Sequence, residues 1–359
     1  MEYDYIIIGG GSAGCVLAAR LLEDPATTVC LVEAGGQGKS FLINTPAMVA
    51  AMVSGRPKLH NWAFRTTPQP HLNNRVCYQP RGKALGGSSA INAMLYVRGH
   101  PSDYDDWANL GAEGWDWQSV LPYFLKSEGN SRTLSNLHAQ NGPLQVTDQN
   151  SPQPITRAFV QAMATCQIPE NPDFNGPTQD GAGLFQVTQF HDGPNKGRRC
   201  SAAAAYLHPV LHRPNLTVLT RAVAERITLD GNRATGLILQ HNLRRQHLTA
   251  RREVILSAGA FGSPHLLMLS GIGPEDELRS HNIAVQHALP GVGQNLQDHL
   301  DHTLMWHSLR PDVVGFNPAG LLRLLRATTP FPQPRHGASD NAGCRRLRVS
   351  AVKPRFATP

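Results

Sequence analysis

The first forty residues contain two short apolar runs separated by an amphipathic segment, and this pattern predicts one βαβ unit. Residues 5–8 are a largely β-branched run that ends in glycines. Residues 12–22 place apolar side chains at helical spacing, and residues 28–32 form a second β-branched run that ends at Glu33. A strand, a glycine turn, a helix and a strand within about thirty residues are typical of one such unit.

Farther along the chain, the pattern predicts short strands separated by helical and loop-rich segments. Residues 40–80 are loop-rich, and residues 81–92 form a glycine- and serine-rich turn that enters a helix. Helices are also predicted within residues 107–126 and at residues 264–269. The predicted strands are residues 142–146, 182–189, 216–219, 222–229, 234–239 and 253–256.

The late part of this pattern bears on how the chain is organised. Asp230 and Gly231 mark a hairpin between two of the predicted strands. The last predicted strand, residues 253–256, runs into a Ser-Ala-Gly-Ala turn, and we expect it to join the N-terminal sheet. The N-terminal domain is then discontinuous in sequence, with a second domain inserted into it.

Charge is distributed unevenly along the chain. The net charge is +7, but residues 328–359 carry six basic side chains against one acidic side chain, which accounts for +5. That segment is rich in Pro and Arg and lacks apolar periodicity, so we expect disorder there. Since the remaining chain is near neutral and no basic stripe is interleaved with aromatics, nucleic-acid binding is not expected.

Cysteine usage and hydropathy indicate the compartment. The six cysteines show no regular spacing, which argues against a disulfide framework, and Cys15 and Cys30 fit small core positions. The N-terminus is a first strand rather than a signal peptide, and no apolar stretch approaches the ~18 residues of a membrane span. We expect a cytoplasmic protein whose membrane contact, if any, is peripheral.

The glycine turn after the first strand carries the chemistry. Gly9-x-Gly11-x-x-Gly14 follows a strand and opens a helix, and Glu33 ends the next strand. Gly9 allows the tight turn, Gly11 lets the backbone approach a pyrophosphate, and Gly14 lets helix and strand pack closely. Glu33 can bind the ribose hydroxyls of an adenosine.

These residues predict an adenine dinucleotide site but leave FAD and NAD both open. Ser12 and Ala13, which open the helix, and Ala34, which follows the acid, complete the predicted contacts of this unit. The run of Ala34 and two glycines after the acid favours FAD.

Two other kinds of site receive little support. His299-x-x-His302 could suggest a metal, but no further ligands stand at a known spacing, so no metal site is expected. Hydrolase chemistry has no basis either, because the chain contains no G-x-S-x-G motif and no Ser/His/Asp constellation.

Three later blocks resemble the glucose–methanol–choline (GMC) oxidoreductases. Residues 80–94 and 259–273 are similar to the two signatures of that family, and residues 290–299 to a third shared stretch. Residues 96–100 and 173–176 are similar to the bacterial alcohol and choline dehydrogenases within it. With the N-terminal fingerprint, the resemblance extends to about residue 325.

The resemblance implies FAD as the cofactor and adds contacts to it. The implied flavin contacts are Leu85, Gly86, Asn92, Ala93 and Met94. Val223 corresponds to a position whose backbone contacts the adenine. A structural alternative for the same segment is a helix N-cap at Ser88 or Ser89, and the two roles are compatible.

The predicted fold class is α/β, a Rossmann-like FAD-binding domain with a mostly parallel sheet plus an inserted, incomplete α+β substrate domain. Residues 1–150 are predicted as an FAD-binding segment with cap and lid loops, and residues 151–200 as a substrate-domain segment. Residues 201–310 return to the FAD-binding domain, residues 311–327 begin an incomplete substrate-domain segment, and residues 328–359 form the disordered basic tail.

The implied activity is the oxidation of the CH–OH group of a primary alcohol, aliphatic or choline-like, with hydride transfer to flavin N5. The implied electron acceptor is a quinone or another non-oxygen acceptor, which for an intact enzyme suggests peripheral association with the inner membrane. No catalytic residue is predicted, because the family's catalytic histidine block is absent from this sequence. The alternative is a catalytically inactive, truncated fragment that retains partial FAD binding.

Overall fold

A computed structural model describes residues 1–132 and 135–299, which contain a six-stranded sheet, several two-stranded ladders and helices. The strands are β1 (Glu2–Ile8), β2 (Val29–Glu33), β3 (Phe64–Arg65), β4 (Tyr78–Gln79), β5 (Glu128–Asn130), β6 (Leu144–Val146), β7 (Leu216–Thr220), β8 (Ala222–Asp230), β9 (Arg233–His241), β10 (Arg244–Leu256), β11 (Ile272–Gly273) and β12 (His287–Ala288). The α-helices are α1 (Ser12–Leu21), α2 (Phe41–Asn44), α3 (Val49–Val53), α4 (Pro101–Asn109), α5 (Trp117–Ser127), α6 (Pro154–Met163), α7 (Gly259–Leu269) and α8 (Glu275–Ser280). Short helical turns of 3-10 or π geometry lie at Pro46–Met48, Pro70–Leu72, Gly87–Ala90, Ala164–Cys166, Ala203–Leu207 and His208–Val210.

The main sheet has the order β7-β2-β1-β10-β9-β8. Strands β7, β2, β1 and β10 are parallel to one another. Strand β9 pairs antiparallel with both β10 and β8. The predicted βαβ unit is β1, α1 and β2, and β10 joins β1 as expected, with Ile8 opposite Leu256. The predicted α/β class with a mostly parallel sheet is therefore confirmed.

The core explains why residues 6–8 of β1 are all apolar. Ile7 faces α1 and packs with Cys15 and Leu31, while Ile6 and Ile8 face the opposite side and pack with residues of β9 and β10. A parallel strand covered on both faces buries every side chain, so it shows no alternation. Cys15 and Cys30 are fully buried, as predicted for small core residues.

The antiparallel strands β8, β9 and β10 form a meander that covers one face of the parallel sheet. Leu237, Leu239 and Leu248 are fully buried in the cluster that also contains Ile6. The predicted hairpin is present, with Asp230 opposite Arg233 and Gly231 at a positive φ of 54°. The first half of β10 pairs with β9 and its second half with β1.

The strand predicted at residues 182–189 is wrong. Val187 exchanges backbone hydrogen bonds with Thr147, and Tyr96 donates to the carbonyl of Gln186, but these pairings are isolated bridges. Each neighbouring backbone pairs with this segment through a single bridge, so no ladder forms. Gln186 and Val187 are both buried, and the alternation of the sequence therefore does not correspond to one buried and one exposed face.

A buried polar network joins the two segments that resemble alcohol and choline dehydrogenases. The side chain of Asn175 accepts from the backbone N–H of Arg98 and donates to the carbonyl of Tyr96. The Arg98 guanidinium donates to Glu128 at 2.7 Å, and both side chains are almost fully buried. Residues 96–100 and 173–176 are thus parts of one packed unit, which their separation in sequence does not reveal.

The predicted domain division remains a prediction, although β7 to β10 do return the chain to the sheet that β1 and β2 begin. The predicted segments 311–327 and 328–359 lie outside the described residues. Within the described part of the chain, no helix has both the length and the apolar character needed to cross a bilayer.

Candidate functional site

The turn after β1 and the start of α1 are packed so tightly that two glycines there cannot carry a side chain. Gly9 has a φ of +101°, and a Cβ there would lie 2.5 Å from the carbonyl oxygen of Ser257. A Cβ on Gly14 would lie 2.0 Å from the carbonyl oxygen of Gly9. Gly11 differs, because its nearest neighbour would be 3.7 Å away. Gly9 and Gly14 therefore serve the fold, whereas the absence of a side chain at Gly11 leaves its backbone open to a ligand.

The N-terminus of α1 has the properties of an anion site. Gly11 is the N-cap, no side chain caps the helix, and the first turn contains no acidic residue. The first intrahelical bond runs from the Cys15 N–H to the Gly11 carbonyl. Ser12 and Ala13 are exposed in this turn. An uncapped helix N-terminus presents N–H groups and a partial positive charge, both of which favour a pyrophosphate.

Glu33 connects the end of β2 to the glycine turn. Its carboxylate accepts from the Gly10 N–H at 2.9 Å and from the Gly35 N–H at 2.7 Å. Burial raises the pKa of Glu33, while these two N–H groups and the charge of Lys83 oppose that shift. Each carboxylate oxygen keeps further acceptor capacity, so the geometry is compatible with the predicted bonds to ribose hydroxyls.

A second glycine-rich turn lies directly against the first. The Gly86 N–H donates to the Gly10 carbonyl at 2.7 Å, and a Cβ on Gly87 would lie 2.6 Å from the Cα of Gly11. Leu85 is 2% exposed and belongs to the core cluster below α1, so its side chain serves packing. The tertiary structure thus brings the fingerprint and the residues of the first family signature into one site.

The helix predicted after Ser88 is a single 3-10 turn, Gly87–Ala90, and the predicted serine N-cap is wrong. The residue in the N-cap position is Gly86, and no side chain caps the turn. Ser89 Oγ instead accepts from the Ala202 N–H, and Ser88 Oγ accepts from the Gly82 N–H. Both hydroxyls thus accept from backbone N–H groups outside this turn, and the Ser89 hydroxyl also donates to the Gly86 carbonyl at 2.6 Å.

Residues 92–94 combine two accessible residues with a strained backbone. Asn92 and Ala93 are exposed, whereas Met94 is buried and has a φ of +65°. The Asn92 side-chain oxygen accepts from the Met94 N–H at 3.1 Å and helps to hold this conformation. The exposed pair fits the predicted flavin contacts, and the contact predicted for Met94 stays a prediction.

Arg199 was not identified by sequence reasoning, yet it is central to this site. Its side chain is 1% exposed and donates to the carbonyl oxygens of Ile43, Ser89 and Asn92 and to the side-chain oxygen of Asn92. Burial lowers the pKa of Arg199 to about 10. The local sequence offers no signal for this role. Two arginines stand side by side, and nothing in the sequence shows that Arg199 is buried while Arg198 is exposed.

The predicted adenine contact lies where β7 passes into β8. Val223 is 42% exposed, and Ala222 beside it is buried. Arg221 adopts a φ of +56° and donates its N–H to the Gly35 carbonyl, which places this corner beside Ala34 and Gly35 at the end of β2. An adenine contact through the Val223 backbone remains a prediction that this placement supports.

The described residues fit an FAD-like group on two observations. The N-terminus of α1 is uncapped and faces two close glycine turns, as described above. In addition, the hydroxyl of Ser257, whose carbonyl lies beside Gly9 and Gly11, is buried and has no partner within the described residues. The dinucleotide would be held by residues 9–14, Glu33 and the turn 85–94.

No cluster of three or more His, Cys, Asp or Glu side chains that could hold a metal ion occurs in residues 1–132 and 135–299. His299 is the last described residue, so the His299-x-x-His302 motif lies only partly within the described residues.

Sequence comparison identifies relatives of this chain. Residues 3–301 match the GMC oxidoreductase family. The alcohol dehydrogenase (acceptor) of Pseudomonas putida is 49% identical over 329 residues, which cover 90% of this chain and 58% of that protein. The mitochondrial choline dehydrogenase of Mus musculus is 45% identical over 305 residues, which cover 84% of this chain and 50% of that protein.

Solved structures with a similar fold include another oxidoreductase. An FAD-dependent oxidoreductase from Chaetomium thermophilum matches with a TM-score of 0.76 and 34% identity, covering 82% of this chain and 52% of that chain. The chain thus spans about half the length of the proteins it matches.

Proposed function

Because the chain belongs to the GMC oxidoreductases, we propose that it takes part in oxidising the CH–OH group of a primary alcohol, with FAD as the hydride acceptor. Family membership and an FAD-dependent structural relative support FAD as the cofactor. The alcohol and choline dehydrogenases among its relatives support an aliphatic or choline-like alcohol as the substrate.

The observation that carries this proposal is the contact between the two glycine-rich turns. The Gly86 N–H bonds the Gly10 carbonyl, and Gly87 lies against Gly11. A dinucleotide whose pyrophosphate binds at the N-terminus of α1 would then have its flavin end beside the turn that follows Gly87. An NAD-binding unit needs the first turn alone, so the second turn favours a flavin.

In the proposed reaction, the alcohol loses its hydroxyl proton and the hydride of its carbon, and an aldehyde is formed. When bound, FAD supplies flavin N5 as the acceptor of that hydride. The residues of this chain bind the dinucleotide at α1, orient it through Glu33 and fix the turn 85–94 beside it. We assign the removal of the hydroxyl proton to no residue of this chain, in keeping with the sequence prediction.

The electron acceptor and the location follow the same proposal. We infer a quinone or another non-oxygen acceptor; the name of the Pseudomonas putida relative includes an acceptor but does not say which one. Peripheral contact with the inner membrane would bring the site close to a quinone.

The test is a flavin spectrum of the purified full chain, followed by anaerobic addition of alcohols. Bound flavin that is bleached by choline or by a primary aliphatic alcohol would support the proposal. Bound flavin that dithionite reduces but no alcohol reduces would overturn the proposed oxidation and favour the inactive fragment. Absence of bound flavin after incubation with FAD would overturn the cofactor assignment as well.

A further inference from the structure

Arg199 is a buried cation, and no carboxylate is among its hydrogen-bond partners in the described residues. All of its bonded partners are neutral oxygens, namely the carbonyls of Ile43, Ser89 and Asn92 and the Asn92 side chain. Its Nη2 is buried and has no partner within the described residues. By contrast, Arg98, which is also buried, pairs with Glu128. A guanidinium without an anion is costly to bury, so its position calls for a reason beyond stability.

The bonds of Arg199 converge on the second glycine-rich turn. Nη1 donates to the Asn92 carbonyl at 2.7 Å and to its side-chain oxygen at 2.9 Å. Three residues later, the Ala202 N–H bonds the Ser89 hydroxyl at 2.9 Å. Residues 199–202 therefore brace the segment from Ser89 to Asn92 from behind, while Asn92 itself remains exposed on the other side.

We propose that Arg199 is a positioning residue of the flavin site, which holds Asn92 in place and leaves an uncompensated positive charge beside the bound flavin. This inference rests on the proposed FAD site. Asn92 is the residue through which the guanidinium acts, since it is both bonded to Arg199 and accessible to a ligand. The positive charge favours reduced flavin, which carries more negative charge than oxidised flavin, because charges interact strongly in a poorly solvated interior.

Three variants of the full chain separate positioning from charge. Arg199→Gln removes the charge and most donors, and Arg199→Lys keeps the charge but loses the planar fork that reaches several oxygens at once. Arg198→Gln is the matched control, because it removes the same charge from an exposed neighbour whose side chain bonds only the Asn195 side chain among the described residues. FAD affinity is measured by titration of the apoprotein, and the flavin midpoint potential by dye-coupled anaerobic reduction.

For R199Q, we expect FAD to bind at least about tenfold more weakly, since hydrogen bonds to a charged group are lost. The midpoint potential should fall, by about 30 mV for each tenfold loss of preference for the two-electron reduced form. R199K should also bind FAD more weakly but keep a midpoint close to that of the unmodified chain. R198Q should match the unmodified chain in both measurements.

Coupling to Asn92 gives a second readout. If Arg199 acts through Asn92, the losses of FAD affinity caused by Asn92→Ala and by R199Q should be less than additive in the double variant. Full additivity would overturn the role assigned to Asn92.

R199Q with unchanged affinity and midpoint would overturn the proposal. Weaker binding with an unchanged midpoint would overturn the part assigned to the charge and leave a purely structural role. If R199Q does not fold, R199K tests the positioning role. An FAD affinity of R199K equal to that of the unmodified chain would overturn that role. If the unmodified chain binds no FAD, both the proposed cofactor site and this inference are overturned. If the unmodified chain binds FAD and the variants behave like it, this inference alone is overturned.

Discussion

The backbone N–H of Gly86 donates to the carbonyl oxygen of Gly10 at 2.7 Å, although 76 positions separate the two residues in the sequence. This bond closes one glycine-rich turn onto another, and Gly87 then approaches Gly11 so closely that a Cβ would lie 2.6 Å from its Cα. The contact turns two separate motifs into one surface, on which the N-terminus of α1 and the exposed Asn92 both border the predicted site of the cofactor.

Gly14→Ala should destabilise the chain itself. The new Cβ would lie 2.0 Å from the Gly9 carbonyl oxygen, which is backbone and cannot move aside without opening the turn. We expect the free energy of unfolding to fall by at least about 1–3 kcal/mol, measured by urea denaturation without FAD. Gly36→Ala is the control, because no atom lies within 4 Å of its Cβ position. Equal stability of the two variants would contradict this prediction.

Gly11→Ala should instead separate ligand binding from stability. Its Cβ would meet the Ser257 carbonyl oxygen at an ordinary contact distance of 3.7 Å, so the apoprotein should unfold like the unmodified chain. The methyl group would occupy the approach to the helix N-terminus, and FAD affinity should fall by about 1.4 kcal/mol or more, a factor of ten. Titration with FAD and denaturation of the same preparation measure both effects. A variant that loses stability but binds FAD normally would show that Gly11 serves the fold.

Glu33→Gln should weaken both the turn and the cofactor site. The carboxylate accepts from the N–H groups of Gly10 and Gly35, and an amide can accept only one of them while its NH₂ faces the other donor. We expect a loss of about 1–3 kcal/mol in the free energy of unfolding and weaker binding of FAD. Glu113→Gln, at an exposed position, is the matched control. If E33Q retains the stability of the unmodified chain, the two backbone bonds contribute nothing to it.

His138 should make stability depend on pH. Its Nδ1 lies 2.9 Å from Glu128 and its Nε2 lies 3.0 Å from Asp173. Since ionised carboxylates only accept, both ring nitrogens can donate to their partners only when the ring is protonated. The hydrogen bond to Glu128 is the main cause that raises the pKa of His138, followed by the charges of Glu128 and Asp173 against the opposing effect of burial.

A raised pKa in the folded chain means that this stabilisation is complete below pH ~6.5, the ordinary pKa of histidine, and is lost as pH rises through the folded value. The free energy of unfolding should therefore decrease from about pH 6.5 upwards. The free energy of unfolding of the His138→Gln variant should depend less on pH over this range. At low pH it should be smaller than that of the unmodified chain by roughly 3–5 kcal/mol. His281→Gln is the control, because His281 is 66% exposed and pairs with an exposed Glu277. Parallel pH curves for H138Q and the unmodified chain would contradict the assignment.

Local pattern was sufficient where neighbours in sequence are also neighbours in space. The glycines, α1 and Glu33 lie within one βαβ unit, so their spacing alone predicted the turn and its acid. Pattern was less reliable for β10, of which residues 253–256 were predicted and nine preceding residues were missed. Those residues are largely polar and exposed, and residues 244–249 among them pair with β9 in the meander. Leu248 and Ala250 are the two that belong to the core.

Pattern failed where partners come from distant loops. The alternation at residues 182–189 predicted a strand, but Val187 finds only Thr147 and the loop at Leu95 beside it. Ser88 and Ser89 were predicted as caps, yet their hydroxyls bond Gly82 and Ala202. In each case, the residue type allowed several partners, and the packing of the chain selected one.

The sequence by itself determined the βαβ unit, the dinucleotide fingerprint and the family, because each depends on residues at fixed short spacings. Only the tertiary structure decided that Gly86 would close onto Gly10, that Arg98 and His138 would form a buried ionic network, and that Arg199 rather than Arg198 would lie behind Asn92. The physical reason is that burial and hydrogen-bond partnership are properties of the packed chain. Two adjacent arginines have the same chemistry, and only the surrounding carbonyl oxygens make one of them part of the site.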